Sequence, residues 1–321
     1  SSAASDVYKR QSQCADAVLE VAVIALRWLQ YGGGVVLLGA PLFLLYSFKD
    51  ADAPNLEWSR PTLRLAAIIV ALGSLAALVA QTAVMAGSLS EAVKPASLSF
   101  MITGTALGMA MVVRAAAALL GLVALVALKP GRALWSVTAA LGLIVAASFA
   151  WTGHGAATEG PGGPIHLVAN IIHAVAAALW LGALAALTAL LLRRAGPDDL
   201  AIHRALHGFA GLGTLAVLLL VLTGLVNSWF LIGPERVALI AGNLYGQLLV
   251  AKLVLFGLML ALAASNRFRL TPTLGSALET GQPSVAAMSA LRRSLLVETG
   301  LGLALIGVVA VMGTLPPQAS L

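Results

Sequence analysis

The chain has 321 residues, of which 60% are hydrophobic and only 10% are charged, and its mean hydropathy is +0.96. A soluble domain keeps about a quarter of its residues charged, so this composition excludes a water-soluble enzyme and a disordered chain. The single cysteine, Cys14, excludes an internal disulfide scaffold. The composition therefore predicts a protein that crosses a membrane several times.

The polar stretch at the start of the sequence fits no membrane span. It lacks an initiating methionine, and we expect residues 1–13 to be a disordered or non-native leader. Cys14 is interpreted as a lone thiol near a helix start rather than as a metal ligand. The alternative, in which Cys14 completes a metal site, stays open.

Eight apolar runs follow, each long enough to cross a hydrocarbon core of roughly 30 Å. We place them at 20–46, 63–86, 100–127, 133–151, 166–192, 208–231, 245–265 and 294–314. The runs do not alternate in polarity as barrel strands do, and backbone groups in lipid must be hydrogen-bonded within each segment. The predicted fold class is therefore all-α, a polytopic bundle with an N-terminal half at 14–150 and a C-terminal half at 151–321.

Lys and Arg residues are distributed unevenly over the predicted loops. The second, fourth and sixth loops carry only Lys94 and Arg236. The odd-numbered loops carry Lys49, Arg60, Arg64, Lys129, Arg132, Arg193, Arg194, Arg204, Arg267, Arg269, Arg292 and Arg293. Because positive charge near span ends is retained in the cytoplasm, we expect both termini to be periplasmic. Most of the net charge of +6 then lies in cytoplasmic loops beside anionic lipid headgroups, so we expect no nucleic-acid partner.

Four charged residues lie at least one helical turn inside predicted spans, where the cost of burying charge makes each of them a functional candidate: Arg27, Arg114, Lys252 and Glu298. We hypothesise that Arg114 and Glu298 form an ion pair, either to fix helix registry or to serve transport. Gly104 and Gly108 form a G-x-x-x-G pattern, which is typical of close helix packing rather than of chemistry.

Three histidines surround the fourth loop, which contains no Lys or Arg: His154, His166 and His173. A site for a cation should avoid positive charge, and this loop does. His166 and His173 are two helical turns apart, roughly 10 Å along the axis, so they suit two successive positions better than one chelate. We expect His154 and His166 to form a site at the periplasmic mouth and His173 to form a deeper one.

Imidazole binds zinc, copper, iron and nickel, whereas thioether sulfur favours Cu(I). Met85, Met101 and Met312 fall near periplasmic helix ends, although each is also ordinary core filler. His203 and His207 are four residues apart beside Arg204, and we interpret them as a solvated helix face on the cytoplasmic side. An exit site for an imported ion is the alternative for this pair.

The second half of the chain resembles the CopD family of bacterial inner-membrane copper-resistance proteins. The resemblance is carried by an ordered set of short motifs rather than by one specific motif. They are Trp151-Thr-Gly-His154, His166 to His173, Trp180-Leu-Gly182, Leu222 to Asn227, Tyr245 to Lys252, Asn266-Arg267-Phe268, Arg292-Arg293, Glu298 and Gly313 to Pro317. Arg27 and Arg114 anchor a looser resemblance in the first half.

The resemblance implies a multi-pass protein of the bacterial inner membrane that imports copper, as Cu(I) or Cu(II), into the cytoplasm. It places metal contact on His154, His166 and His173, and it implies a separate periplasmic carrier of the CopC type as a partner. The sequence contains no phosphate-binding loop, carboxylate pair or nucleophile motif, so we expect neither an enzyme nor ATP-driven transport.

Two other functions stay open. A haem-binding electron-transfer protein would use histidines as axial ligands, but it needs two facing rings at matched depth. A membrane scaffold would use the histidines only to cap helices. Copper flux distinguishes the scaffold from the permease, and a haem absorption band distinguishes the electron-transfer protein.

Overall fold

The computed structural model describes the backbone over 2–49, 56–153, 156, 158–193, 199–317 and 319, and the side chains over the same ranges except 2–19, 199–201 and 239. Within these ranges the chain is almost entirely helical and forms no strand. The helices are α1 (Ser2–Ser47), α2 (Ser59–Ala86), α3 (Leu89–Ala92), α4 (Pro95–Gly104), α5 (Ala106–Ala127), α6 (Arg132–Ser148), α7 (Gly163–Leu192), α8 (Asp199–Ile232), α9 (Leu244–Ser265), α10 (Thr271–Glu279) and α11 (Val285–Met312).

Eight stretches of the described chain are long and apolar enough to cross a membrane, which confirms the predicted all-α fold with eight spans. They are Glu20–Ser47, Ser59–Ala86, Ala106–Ala127, Arg132–Thr152, Gly163–Leu192, Ile202–Ile232, Leu244–Glu279 and Val285–Met312. The division into halves near residue 150 and the leader at 1–13 stay predictions, as does the periplasmic placement of both termini.

The third span begins later than predicted, because the helix breaks at Thr105. Thr105 has extended backbone angles, and its Oγ1 accepts a hydrogen bond of 2.9 Å from the backbone N–H of Gly108, which caps the start of α5. Gly104 ends α4 and Gly108 lies in α5, where a side chain would collide with the backbone of Met101. The glycine pattern therefore joins two consecutive helices and does not form one face of a single helix.

The sixth and seventh spans are longer than predicted. α8 is one continuous helix from Asp199, so His203 and His207 lie in the first turns of the helix that forms the sixth span. α9 continues through a π-helical turn, Asn266–Leu270, into α10. A π-helical turn holds more residues per turn than an α-helix and frequently occurs at functional sites.

α1 lies at the centre of the bundle and packs against α2, α6 and α7. Its closest approach to α7 is at Gly39 and Gly182, where a Cβ built on either glycine lies 2.6 Å from the Cα of the other. Only glycine permits this contact, because a real Cβ would force the two backbones apart. The contact positions α7, which carries the predicted metal-binding residues, against the N-terminal half.

The predicted Arg114–Glu298 ion pair is wrong. Arg114 is buried between α1, α5 and α6, where it donates hydrogen bonds to Gln30 Oε1 at 2.9 Å and to Ser148 Oγ at 2.9 Å. It also donates to the Ser148 carbonyl and to Thr152 Oγ1, and it lies over the Phe149 ring. Four hydrogen bonds to neutral acceptors therefore satisfy most of the five N–H donors of the Arg114 guanidinium. None of these acceptors belongs to α11, the helix that carries Glu298.

Candidate metal-binding cavities

His166 lies in the first turn of α7 and is completely buried. Its Nδ1 lies 2.7 Å from Thr158 Oγ1, and its ring stacks on Phe230 of α8, with 4.8 Å between ring centroids and an interplanar angle of 11°. These contacts hold the end of the loop against α7 and α8. His166 therefore has a structural role in this conformation, and the end of the bundle where it lies is called the His166 end below.

His154, the predicted partner of His166 at the mouth, lies outside the described residues. The mouth site therefore stays a prediction. Among the described side chains, no three His, Cys, Asp or Glu residues lie close enough together to hold one ion.

His173 lies two turns further along α7 and is hydrogen-bonded to α8. Its Nδ1 is 2.9 Å from Thr223 Oγ1, and Thr223 donates its hydroxyl hydrogen to the Leu219 carbonyl at 2.5 Å. A hydroxyl has one hydrogen, so while Thr223 donates to Leu219 it accepts from the Nδ1–H of His173. In that tautomer the other nitrogen, Nε2, carries the lone pair that can bind a metal.

His173 lines a cavity of about 220 Å³ enclosed by α1, α6, α7, α8, α9 and α11, which we call the His173 cavity. Its polar lining residues are Tyr31, Asn170, His173, Asn227, Tyr245 and Lys252, and Met312 adds a thioether. Asn227 Oδ1 is buried and has no hydrogen-bond partner among the described residues. Imidazole nitrogen, amide oxygen and thioether sulfur are together a donor set that suits copper.

Lys252 brings an amine to the His173 cavity and interacts electrostatically with His173. No acidic side chain among the described residues lines this cavity, so Lys252 opposes the entry of a cation when it is protonated.

The sequence named Lys252 as a functional candidate but did not place it beside His173. Asn227 and Tyr245 also line the cavity, and the sequence placed them only in motifs of the family. These residues lie on α8 and α9, and neither helix alone indicates that they line one cavity.

A second and larger cavity, of about 910 Å³, lies at the opposite end of the bundle, which is rich in arginine. We call it the Glu298 cavity. Its ionisable and amide lining residues are His203, His207, Asn266, Arg267, Glu279 and Glu298. His203 is half-buried, and its ring lies against Gly275 of α10, so the predicted solvated face is wrong for this residue; His207 is exposed, as predicted.

An apolar layer separates the two cavities along α7. Ala177 and Leu181 line the His173 cavity, whereas Trp180 and Leu184 line the Glu298 cavity. The Trp180 ring meets the Phe256 ring edge to face, with centroids 5.7 Å apart. We call Trp180, Leu181 and Phe256 the partition, because they lie between two cavities that follow one another along the same helix.

Comparison with known proteins identifies the class to which this fold belongs. Residues 18–164 match the family described as copper resistance protein D-like, N-terminal domain, and residues 203–312 match the copper resistance protein D family. Copper resistance protein D of Pseudomonas syringae pv. tomato is 37% identical over 305 residues, which cover 92% of this chain and 96% of that protein.

Two further relatives are more distant. Copper transport protein CutJ of Bacillus subtilis (strain 168) is 27% identical over 313 residues, or 95% of this chain, but the match spans 54% of CutJ. Inner membrane protein YebZ of Escherichia coli (strain K12) is 26% identical over 187 residues, which cover 58% of this chain and 60% of YebZ. No solved structure matches.

The eight apolar spans and these relatives define a multi-pass protein of the inner membrane with a copper-related function. The chain belongs to the copper resistance protein D family.

Proposed function

We propose that this protein imports copper from the periplasm into the cytoplasm and that His173 binds the ion on the way. The observation that carries the proposal is the contact of His173 Nδ1 with Thr223 Oγ1, in a ring that lines a cavity within the bundle. With the proton on Nδ1, Nε2 is the nitrogen that binds copper. A metal-bound histidine typically donates its other N–H to an oxygen that orients the ring, and Thr223 provides that oxygen. Copper is the cargo in this proposal, and its oxidation state is Cu(I) or Cu(II).

The direction of transport follows from charge. The arginine-rich end of the bundle faces the cytoplasm by the positive-inside rule, so the His166 end and both termini face the periplasm. A cation that moves inward gains about 2.3 kcal/mol per charge for every 100 mV of membrane potential. Import from the His166 end therefore needs no nucleotide.

The periplasmic mouth is the point at which a carrier would deliver copper. We propose that His154 and His166 receive the ion there, and that a small separate carrier of the CopC type is the donor. This step requires the His166 ring to leave Phe230 or Thr158, since both now cover it. The loop at this mouth contains no Lys or Arg, which favours the approach of a cation.

A haem-binding function is less well supported. His173 is the one histidine among the described residues that lines its cavity, so a second axial imidazole at matched depth is missing there. The cavity volume of about 220 Å³ is also below the range of about 300–1,000 Å³ that holds drug-sized ligands. We expect the purified protein to show no haem absorption band.

Copper uptake into proteoliposomes tests the proposal. Wild-type protein is expected to accelerate entry of copper under an inside-negative potential, and His173→Ala is expected to reduce the rate at least about tenfold. Thr138→Ala is a suitable control, because Thr138 is buried and bonded only to its own helix, and it lines neither cavity. Unchanged uptake in His173→Ala would refute the proposed route.

A further inference from the structure

Glu298 is a buried carboxylate without a cationic partner in the described part of the chain. It is 2% exposed, and its Oε2 accepts a hydrogen bond of 2.8 Å from Asn266 Nδ2. The one ion pair found among the described residues is Lys94–Glu91, so no described Lys, Arg or His lies within 4.0 Å of Glu298. A buried charge is costly unless a counter-charge accompanies it, and this carboxylate faces a large cavity instead.

Asn266 adds a second unsatisfied group at the same place. It is 7% exposed and lines the same cavity, and its Oδ1 is buried without a hydrogen-bond partner among the described residues. Its amide donates to Glu298, so the remaining oxygen can only accept a hydrogen bond or bind a cation. Asn266 begins the π-helical turn between α9 and α10, and this turn places it opposite α11.

The Glu298 cavity is lined by charges of both signs: the carboxyl groups of Glu298 and Glu279 and the guanidinium of Arg267. Arg267 repels a cation, but its guanidinium is held by Thr214 Oγ1 and by the Ala210 carbonyl and lies over the Phe268 ring, so it is fixed at the α8 wall by partners other than Glu298. The wall formed by α8 contributes the imidazoles of His203 and His207, whose ring centroids are 6.3 Å apart. Carboxylate, amide oxygen and imidazole are all metal ligands.

We infer that Glu298 and Asn266 form a second cation site, in which the carboxylate and the free amide oxygen bind copper after it passes the partition and before it leaves at the arginine-rich end. Water or the imidazoles of α8 complete the coordination as the ion moves through the cavity. The identification of the cation as copper rests on the proposed function, whereas the existence of the site rests on the unpaired Glu298 and Asn266.

Counting bound copper tests this inference. Full-length protein in detergent is loaded with CuCl2, with and without ascorbate, and the copper retained after gel filtration is measured by atomic absorption. Wild-type protein is expected to retain two ions per chain, at His173 and at Glu298, because Phe230 and Thr158 cover the His166 ring at the mouth. The ion at Glu298 is lost in Glu298→Gln. Glutamine has the shape of glutamate and can still accept from Asn266, so the variant removes charge with little change of packing. Glu91→Gln removes an exposed carboxylate and is the matched control.

A second variant keeps the test decisive if Glu298→Gln folds poorly. Asn266→Ala retains the carboxylate and removes the amide oxygen, and it is expected to weaken the second site at least about tenfold while the first is unchanged. If both variants retain two ions at wild-type affinity, the inference is wrong.

The same measurement separates this inference from the proposed function. Loss of one ion in His173→Ala together with no effect of Glu298→Gln would leave the proposed function standing and overturn the second site. Loss of one ion in Glu298→Gln together with no effect of His173→Ala would do the reverse. One ion retained by the wild type and kept by Glu298→Gln also overturns the second site.

Discussion

Thr223 of α8 accepts the hydrogen bond of His173 of α7 and passes its own hydrogen to the carbonyl of Leu219 one turn earlier. This relay orients the imidazole ring and, with the proton on Nδ1, leaves Nε2 free to bind a metal. The contact between α7 and α8 thereby orients one nitrogen of His173 for metal binding, without a charged residue taking part in the hydrogen bonds.

Thr223→Val is expected to weaken copper binding at His173 by about tenfold, because valine keeps the shape of threonine but cannot accept the Nδ1–H bond. Affinity is measured by competition with a copper chelator of known strength. Thr138→Val provides the control, since that threonine bonds only to Leu134 of its own helix. An equal loss in both variants would show that the relay does not tune His173.

Lys252→Leu is expected to strengthen copper binding in the His173 cavity by at least about fivefold. An ammonium about 4 Å from a cation costs about 4 kcal/mol at an effective dielectric constant near 20 and about 1 kcal/mol in bulk water, and leucine removes the amine without adding a metal ligand. Lys94→Leu, at an exposed residue paired with Glu91, is the control. Weaker binding in Lys252→Leu would indicate instead that the lysine nitrogen is a ligand.

Arg114 and Glu298 are expected to behave independently in a double-mutant cycle. Arg114→Met and Glu298→Gln share no partner, so their effects on the free energy of unfolding should add within about 0.5 kcal/mol. Arg114→Met combined with Gln30→Leu serves as the positive control, because those side chains are 2.9 Å apart and should couple by roughly 1 kcal/mol or more. Unfolding in increasing SDS provides the measurement.

Gly39→Ala and Gly182→Ala are each expected to destabilise the protein by about 1–3 kcal/mol, because a methyl group at either position meets the opposing helix backbone. Gly211→Ala is the matched control within a helix, since a Cβ there has no neighbouring atom within 4 Å. It is expected to be neutral or slightly stabilising, because alanine favours helix over glycine. Equal effects at all three positions would contradict the close contact of α1 and α7.

The orientation in the membrane is tested by cysteine labelling in a Cys14→Ser background. Arg293→Cys is expected to react with an impermeant maleimide only from the cytoplasmic side, because Arg293 is exposed near the arginine-rich start of α11. Glu159→Cys is expected to react only from the periplasmic side, because Glu159 lies in a loop without positive charge. Labelling with the opposite sidedness would reverse the direction of import proposed above.

Several features of the site could be predicted from the sequence, and others could not. The seven-residue spacing places His166 and His173 two turns apart on α7, where they contact different residues, because helix geometry is local. Their use as two metal positions stays a prediction. The spacing could not reveal that His166 lies beneath Phe230 or that Lys252 reaches the His173 cavity, since these contacts join helices far apart in the chain.

The sequence by itself determined the eight spans. Each span must be long enough to cross the bilayer and must satisfy its own backbone hydrogen bonds in lipid, and both requirements apply to each segment separately. Only the tertiary structure decided which partners the buried polar groups meet. Packing brought Thr223 to His173, Gln30 to Arg114 and Asn266 to Glu298, and every one of these pairs joins two different helices. Hydropathy locates the spans but does not predict which faces of two helices meet. Those faces are chosen by shape complementarity between helices, as in the close contact of Gly39 with Gly182.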